Sequence, residues 1–525
     1  MKIPDRIVPL VEIFASFPFL FKPVNIPNIS IYGITADSRK VKPGYVFVAC
    51  PGQSVDGHSY IDKAIEMGAI LVVGQKDIID CDVPYIKVEN SRQSLAYLAA
   101  AYYDNPAKKM VMIGITGTDG KTTTTNLIFS ILLTAGIKAG MISTLSAVIG
   151  DKVLDTGFHV TTPDAPEVQR LLSMMVDEGI THVVLETTSH GWEQYRVDAC
   201  EFDIGVITNI THEHLDQHGS FNNYRAAKAR LFTSLIDAHK KKLNDIRLAV
   251  LNRDDSSYEY LNAIPNLRTI SYAIDSEADI FAKDIRFFNE GSEYNINFLA
   301  NREIKVKSNL VGEFNILNCL AAFSTGVVGL GIDPDVVVKG INAIEGVPGR
   351  MERINCGQDF IAIVDFAHTP NALKVALETA RKMTKGRVIT VVGSAGLRDR
   401  QKRKLMAGTS ISLADISIFT AEDPRTESLE MILNEMADGA NLQNGVLGIN
   451  YWCIRDRGNA IRQAIKIARP DDLIICCGKG HEQSMCFGTK EYAWDDRTAL
   501  RAAISESLRI NGPRMPFLPT QDGFE

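Results

Sequence analysis

Residues 114–126 read GITGTDGKTTTTN. Gly117 and Gly120 bracket Thr118 and Asp119, and Lys121, Thr122 and Thr123 follow at once. Types in this order suit the oxygens of a phosphate chain. The glycines let backbone N–H groups approach, the lysine reaches terminal phosphates, and a threonine hydroxyl can ligate Mg²⁺. The strict phosphate-loop pattern needs a glycine where Ile115 stands, so this is a shorter variant. A plain strand-to-helix turn is the bland alternative, and the loop alone leaves ATPase, GTPase, kinase and ligase open.

Other residues invite chemistry. Glu186 ends the apolar run HVVLE, where an acid beside phosphate suits Mg²⁺ as an oxygen ligand; a solvated strand end is the alternative. His212, His214 and His218 crowd THEHLDQHG, which raises a zinc site, although no cysteine joins them. Lys228, in YRAAKARLF, reads in isolation as an exposed helix lysine. Arg425 follows Pro424 in TAEDPRTE, and a guanidinium can grip a carboxylate bidentately. Glu482, in GKGHE, offers an anion for an ammonium group.

These residues need elements to hold them. A chain of 525 residues is too long for one core and implies roughly three domains. Short strand-like runs (YVFVAC, AILVVG, PYIKV) and the helical YIDKAIEMGA fill the first block. The second opens with the apolar run before Gly117 and continues with widely spaced strands, as in a parallel α/β sheet. EGVPGRME, near 345–350, reads as a hinge or linker. Alternation then restarts, and the strand endings Asp365–His368, Ser394–Asp399, Glu422–Arg425 and Lys479–Glu482 are expected to line one cleft.

Bulk properties exclude several classes. The net charge of −7 gives no global basic field for nucleic acid or an anionic membrane. Nine cysteines without a CxxC pair point to reduced thiols and a cytoplasmic location. Glu12 and Pro18 interrupt the apolar start, which argues against a signal peptide, and 315–332 reads as a buried helix rather than a membrane span.

TGTDGKT resembles the phosphate loop of the Mur ligases, which use ATP to join amino acids to a UDP-muramyl chain. The resemblance spans almost the whole sequence. DSRKVKPGYVFVACPGQSVDGHSYIDKAIEMGA, TTPDAPEVQ, ETTSHGWEQYRV, TNITHEHLDQHGSFNNYRAAKARLF, GEFNILNCLAA, PGRME, VDFAHTPNAL, DRQKRKLM, DPRTE and GKGHE follow in that family's order.

The resemblance implies a three-domain α/β protein: a UDP-substrate-binding domain over 1–108, a central P-loop ATPase-like parallel-sheet domain over 109–345, and a Rossmann-like amino-acid-binding domain over 346–525. It implies an ADP-forming acid–amino-acid ligase of peptidoglycan synthesis. The carboxylate of UDP-N-acetylmuramoyl-L-alanyl-D-glutamate would attack the γ-phosphate of ATP, and an amine would attack the resulting acyl phosphate. Positioning and charge stabilisation do most of the work in such a reaction. ATP and Mg²⁺ are the implied cofactors; the partners are the UDP-muramoyl dipeptide and a free amino acid, with no nucleic acid, no membrane insertion and a monomeric enzyme.

Carried over residue by residue, the resemblance makes Lys121, Glu186, His214 and Lys228 catalytic. Thr122, Glu186, His214 and a carbamylated Lys228 would serve Mg²⁺, His214 on a second ion. Nucleotide contacts fall on 117–123, Asn315, Asn318, Arg350 and Asp365, with Asp399 and Lys402 closing over the nucleotide. Substrate contacts fall on Ser38 and the GQSVDGH loop, where Gln53 and Ser54 depart from the family pattern, and on Thr161, Thr162, Thr188, Gln194 and Arg196. The amino-acid pocket falls on Asp423, Arg425, Gly478 and Glu482.

Arg425 for a carboxylate and Glu482 for an amine describe the far end of meso-diaminopimelate. The family's diaminopimelate-adding members carry Asp-Asn-Pro-Arg here; this chain has Glu422-Asp423-Pro424-Arg425. An acid in place of the asparagine could pair with Arg425 and favour lysine or ornithine, or Arg425 could simply pair with Asp423 or Glu427. A folylpolyglutamate synthetase shares the phosphate loop but is not expected to carry the uridine motif at 37–61. Intact Lys121, Glu186, His214 and Lys228 argue against a non-catalytic nucleotide-binding descendant.

Overall fold

The computed structural model describes residues 6–520 except 16, 18–25, 53–54, 79, 155–160, 212–218, 242–245, 289–290 and 300–301. The chain forms two compact units. One holds Met1–Lys283, Asn295–Ile304 and Leu317–Ala343; the other holds Asp284–Tyr294, Lys305–Ile316 and Ile344–Glu525.

After a short helix, Leu10–Ala15, and the antiparallel pair Val8–Pro9 and Ser30–Ile31, the first unit forms four parallel strands, Gly33–Thr35, Tyr45–Ala49, Ala69–Gly74 and Tyr85–Lys87. Val46, Val48, Leu71 and Val73 bury one face with Ile13 and Leu98, while Phe47, Ala49 and Val72 bury the other with Ile61 and Ala64. Burial on both faces is why these strands read as unbroken apolar runs. Further along, six strands run parallel in the order Ala139–Ile142, His182–Glu186, Val111–Thr116, Ile204–Ile207, Leu248–Asn252, Arg268–Ala273. All six residues of Val111–Thr116 are buried. Its neighbours come from later chain on opposite sides, so the order reverses there. The carboxyl end of Val111–Thr116 is therefore the crevice where a doubly wound sheet takes its ligand, and Gly117 begins at that point.

In the second unit, Ile361–Asp365, Leu473–Cys477, Val388–Val392, Ile416–Phe419 and Tyr451–Cys453 lie side by side in parallel. Asp365 and Val392 both pair with Cys477, and Phe419 pairs with Val392. The polar endings expected to share a cleft thus emerge from one end of one sheet. Behind them, Arg457 is fully buried and paired with Asp496 at 2.5 Å, and donates to the carbonyls of Ala421 and Cys477.

Two readings gain detail. EGVPGRME is not a free linker: Gly349 (φ +65°) lies so close to the Gly480–His481 backbone that a Cβ would stand 2.2 Å from the His481 nitrogen. Only glycine fits that approach. The uncharged stretch 315–332 is helical over Glu313–Ser324 and then opens into a π-turn over Thr325–Gly329. Among the described residues no helix is long and apolar enough to cross a membrane.

Candidate active site

In the first unit the phosphate loop is built from its backbone outward. Gly117 has φ +151° and Gly120 φ +81°; a Cβ on Gly117 would stand 1.8 Å from Thr208 Oγ1, and one on Gly120 2.3 Å from Asn318 Oδ1. Gly120 caps the helix Lys121–Thr134, whose first N–H groups face the loop. Asn209 fixes the loop: its carbonyl accepts from Thr118 N (2.8 Å) and its Oδ1 from Asp119 N (3.0 Å), while Thr208 Oγ1 donates to Asp119 O (2.6 Å). Lys121 Nζ donates to Thr118 O at 2.7 Å, folded back over the loop. Thr124 Oγ1 donates to Asn318 Oδ1 at 3.2 Å, which puts Asn318 against the helix start; Thr123 is buried beside it.

Glu186 is 1% exposed. Its carboxylate accepts from Thr122 Oγ1 at 3.2 and 3.0 Å, from Thr144 N at 3.1 Å and from Thr144 Oγ1 at 3.0 Å. A buried carboxylate and a loop hydroxyl in contact form a hard-oxygen donor set, which fits Mg²⁺ beside phosphate. Thr144 was not singled out in the sequence. Its only signal is its place in ISTLSA, just past the strand Ala139–Ile142, and only the parallel neighbour relation brings it to Glu186. Thr144→Val is expected to raise the Mg²⁺ concentration for half-maximal activity about fivefold, the cost of one hydrogen bond near 1 kcal/mol. A magnesium titration of the rate checks it.

Next to Glu186 a cradle forms from two segments. Thr162 Oγ1 donates to Glu186 O (3.2 Å) and lies 3.3 Å from Thr188 Oγ1, which caps the helix Ser189–Glu193. Arg196 donates to Thr162 O at 2.6 Å and through Nε and Nη2 to Gln194 Oε1 at 3.1 and 2.7 Å. Burial lowers the pKa of Arg196, so the site favours an anion that would hold its charge. Thr161 precedes the pair, half-buried.

Lys228 is not an exposed helix lysine. It is 2% exposed on the helix Phe221–Asp237, and its Nζ donates to Gly117 O at 2.6 Å, 4.5 Å from the Tyr224 ring centre. Tyr224 Oη in turn lies 3.0 Å from Thr118 Oγ1. His214, with His212, Asp216 and His218, falls outside the described residues, as do Gln53 and Ser54. Ser38 is buried and opens the turn that Asp37 caps.

In the second unit, Asp365 accepts from Met351 N (2.7 Å) and Ala367 N (2.8 Å), and the Arg350 guanidinium stacks 4.2 Å from the Phe366 ring centre. His481 stacks on the same ring at 5.0 Å; burial above all, with the charges of Arg350, Arg497 and Lys479, drops its pKa to about 3 and keeps it neutral. Asn315 Nδ2 donates to Val311 O at 2.8 Å, a helix-start contact. Asp399 caps the helix Arg400–Leu413, accepting from Gln401 N at 2.9 Å, so its carboxylate has a structural task.

The residues expected to form the amino-acid pocket sort clearly. Asp423 is paired with the fully buried Lys479 at 3.0 and 3.1 Å and accepts from Cys486 N at 2.9 Å. Lys479 also pairs with Glu482 at 2.5 Å. Glu427 is taken by Arg403 at 2.9 and 2.7 Å, which holds its pKa near 2. Among the described residues, the half-buried Arg425 side chain makes no hydrogen bond or ion pair. Neither acid suspected of absorbing it does so. Gly478 (φ +110°) lies against Glu422, whose carboxyl is driven up to about 7 by burial.

The sequence matches three family descriptions: "Mur ligase family, catalytic domain" over residues 30–103, "Mur ligase middle domain" over 115–326, and "Mur ligase, glutamate ligase domain" over 349–480. A UDP-N-acetylmuramoyl-L-alanyl-D-glutamate–2,6-diaminopimelate ligase of Bacillus cereus is 39% identical over 95% of this chain and 98% of its own. A UDP-N-acetylmuramyl-tripeptide synthetase of Roseiflexus sp. is 40% identical over 93% and 97%. A solved structure of a UDP-N-acetylmuramoyl-L-alanyl-D-glutamate–2,6-diaminopimelate ligase superposes with a TM-score of 0.66 at 28% identity, covering 96% of this chain and 99% of that one.

Proposed function

The chain belongs to the Mur ligase family, and on that premise we propose that it adds meso-diaminopimelate, as the third amino acid, to UDP-N-acetylmuramoyl-L-alanyl-D-glutamate, consuming ATP and releasing ADP and phosphate. The relatives' names support the reaction. The observation that carries the amino acid is the Arg425 guanidinium, which makes no hydrogen bond or ion pair among the described residues, while Asp423 and Glu427 are already committed to Lys479 and Arg403.

The reaction divides into two transfers. The γ-carboxylate of the D-glutamate attacks the γ-phosphorus, the bond to the β-phosphate oxygen breaks, and ADP leaves. The amine of diaminopimelate then attacks the acyl carbon, loses a proton, and expels phosphate. Loop N–H groups and Lys121 hold the triphosphate, countering its repulsion of the incoming carboxylate. Thr162, Thr188, Gln194 and Arg196 hold the muramyl dipeptide beside Glu186, and Ser38 lines the uridine end. Thr122 and Glu186 would hold Mg²⁺, which a carbamylated Lys228 would help to position, with His214 on a second ion; the metal would supply charge neutralisation at the phosphates.

We assign residues 1–108 to the UDP end of the substrate, 109–345 to ATP and catalysis, and 346–525 to the amino acid; each family match falls inside one of these spans. In this reading the enzyme acts as a cytoplasmic monomer, and its nine free cysteines suit a reducing compartment.

The test is an amino-acid panel: phosphate release and product mass with the UDP-muramoyl dipeptide and each of diaminopimelate, lysine and ornithine. Preference for lysine or ornithine would overturn the choice of amino acid. Arg425→Ala is expected to cut kcat/KM for diaminopimelate by on the order of 10–100-fold, the loss of a charge-assisted contact of about 1.5–3 kcal/mol, with a much smaller change for lysine.

A further inference from the structure

The stretch Asp423–Arg425 is held rigidly. Asp423 and Arg425 both have left-handed backbones, at φ +41° and +55°. Gly396 N donates to Asp423 O at 2.9 Å, Arg425 N to Cys486 O at 3.0 Å, and Gly488 N to Arg425 O at 2.7 Å. With its backbone pinned on both sides, this segment has little freedom except in the direction of its side-chain charges. Asp423 is 5% exposed, and a buried carboxylate must find a cation. Lys479, with a side chain 0% exposed, meets that need and holds Glu482 with the same ammonium. Without Lys479, Arg425, two residues along, would be a cation open to Asp423.

We propose that Lys479 is a positioning residue for amino-acid specificity: by holding Asp423 on one side and Glu482 on the other, it keeps Arg425 available to the distal carboxylate of the incoming amino acid and aims Glu482 at its distal ammonium. Glu422, whose carboxyl is driven up chiefly by burial, lies within the electrostatic reach of Lys402, Arg457, Lys479 and Asp423. The inference rests on the diaminopimelate reading above.

The experiment compares kcat/KM for diaminopimelate and for lysine in the full-length wild type, in Lys479→Met, and in Lys479→Met/Asp423→Asn. Asparagine keeps the shape and the acceptor for Cys486 N but removes the charge that needs a counter-ion. The diaminopimelate-to-lysine ratio is expected to fall by on the order of tenfold or more in Lys479→Met and to return to within a few-fold of wild type in the double variant. A purely structural lysine would lower both substrates together and leave the ratio unmoved. An unchanged ratio in Lys479→Met, or a low ratio that persists in the double variant, overturns the proposal. Should Lys479→Met not fold, the double variant decides: a wild-type ratio supports the proposal, and an inactive or unselective enzyme overturns it. A wild type that prefers lysine sinks the amino-acid reading itself, whereas a selective wild type with no Lys479 effect sinks this proposal alone.

Discussion

Lys121→Ala is expected to lower kcat by on the order of 10²–10³, the usual cost of removing one preorganised charge from a closed site, while the protein stays folded. The structure separates the two effects. The Lys121 ammonium makes a 2.7 Å contact with Thr118 O, but the loop does not depend on it. Thr118 and Asp119 are anchored by Asn209 and Thr208 through backbone and side-chain contacts of 2.6–3.0 Å. Gly120 and the helix start are set by their own dihedral angles. On the proposed reading, removing the ammonium would take away a charge meant for the β- and γ-phosphates and little else. ADP formation measured beside a thermal melt checks both halves. A folded variant with near-normal turnover would show that 117–123 is not the ATP site.

The sequence was most legible where one segment does the whole task. Six buried residues, a glycine pair, then lysine and threonine specify strand, loop and helix locally, and the strand endings of the second unit followed from the same rule. It was least legible where a polar residue works through a distant partner. Thr144 lies 42 residues from Glu186, and Lys479 lies 56 from Asp423. Neither spacing carries a periodicity, so only the folded sheet reveals the pair. Asp399 shows the converse: an acid before RQKRKL is an N-cap signal, and the local role is the one the structure displays. Lys228 was ambiguous for a third reason. Its helix is amphipathic, and which face the residue occupies depends on what the helix packs against, which no single segment records.

That buried position motivates the second large expectation. Lys228 is expected to carry a carbamate: its ammonium first gives up a proton, the free amine nitrogen bonds to the carbon of CO₂, and a second proton leaves, so that a cation becomes an anion next to Gly117. A lysine 2% exposed, 2.6 Å from Gly117 O, has no solvating task, and a loop that with Glu186 is proposed to hold Mg²⁺ would gain from a second anion. Lys228→Ala is expected to lose activity by on the order of 10²–10³, and millimolar acetate or formate should restore part of it. Intact-mass analysis should find one added CO₂, and removing CO₂ should lower the rate reversibly. The competing account is that the ammonium merely satisfies the Gly117 carbonyl. In that case the alanine variant lacks a cation, and a small carboxylate supplies the wrong charge: it would leave the rate unchanged or depress it. The direction of the carboxylate effect in Lys228→Ala therefore separates an anion at this position from a structural cation.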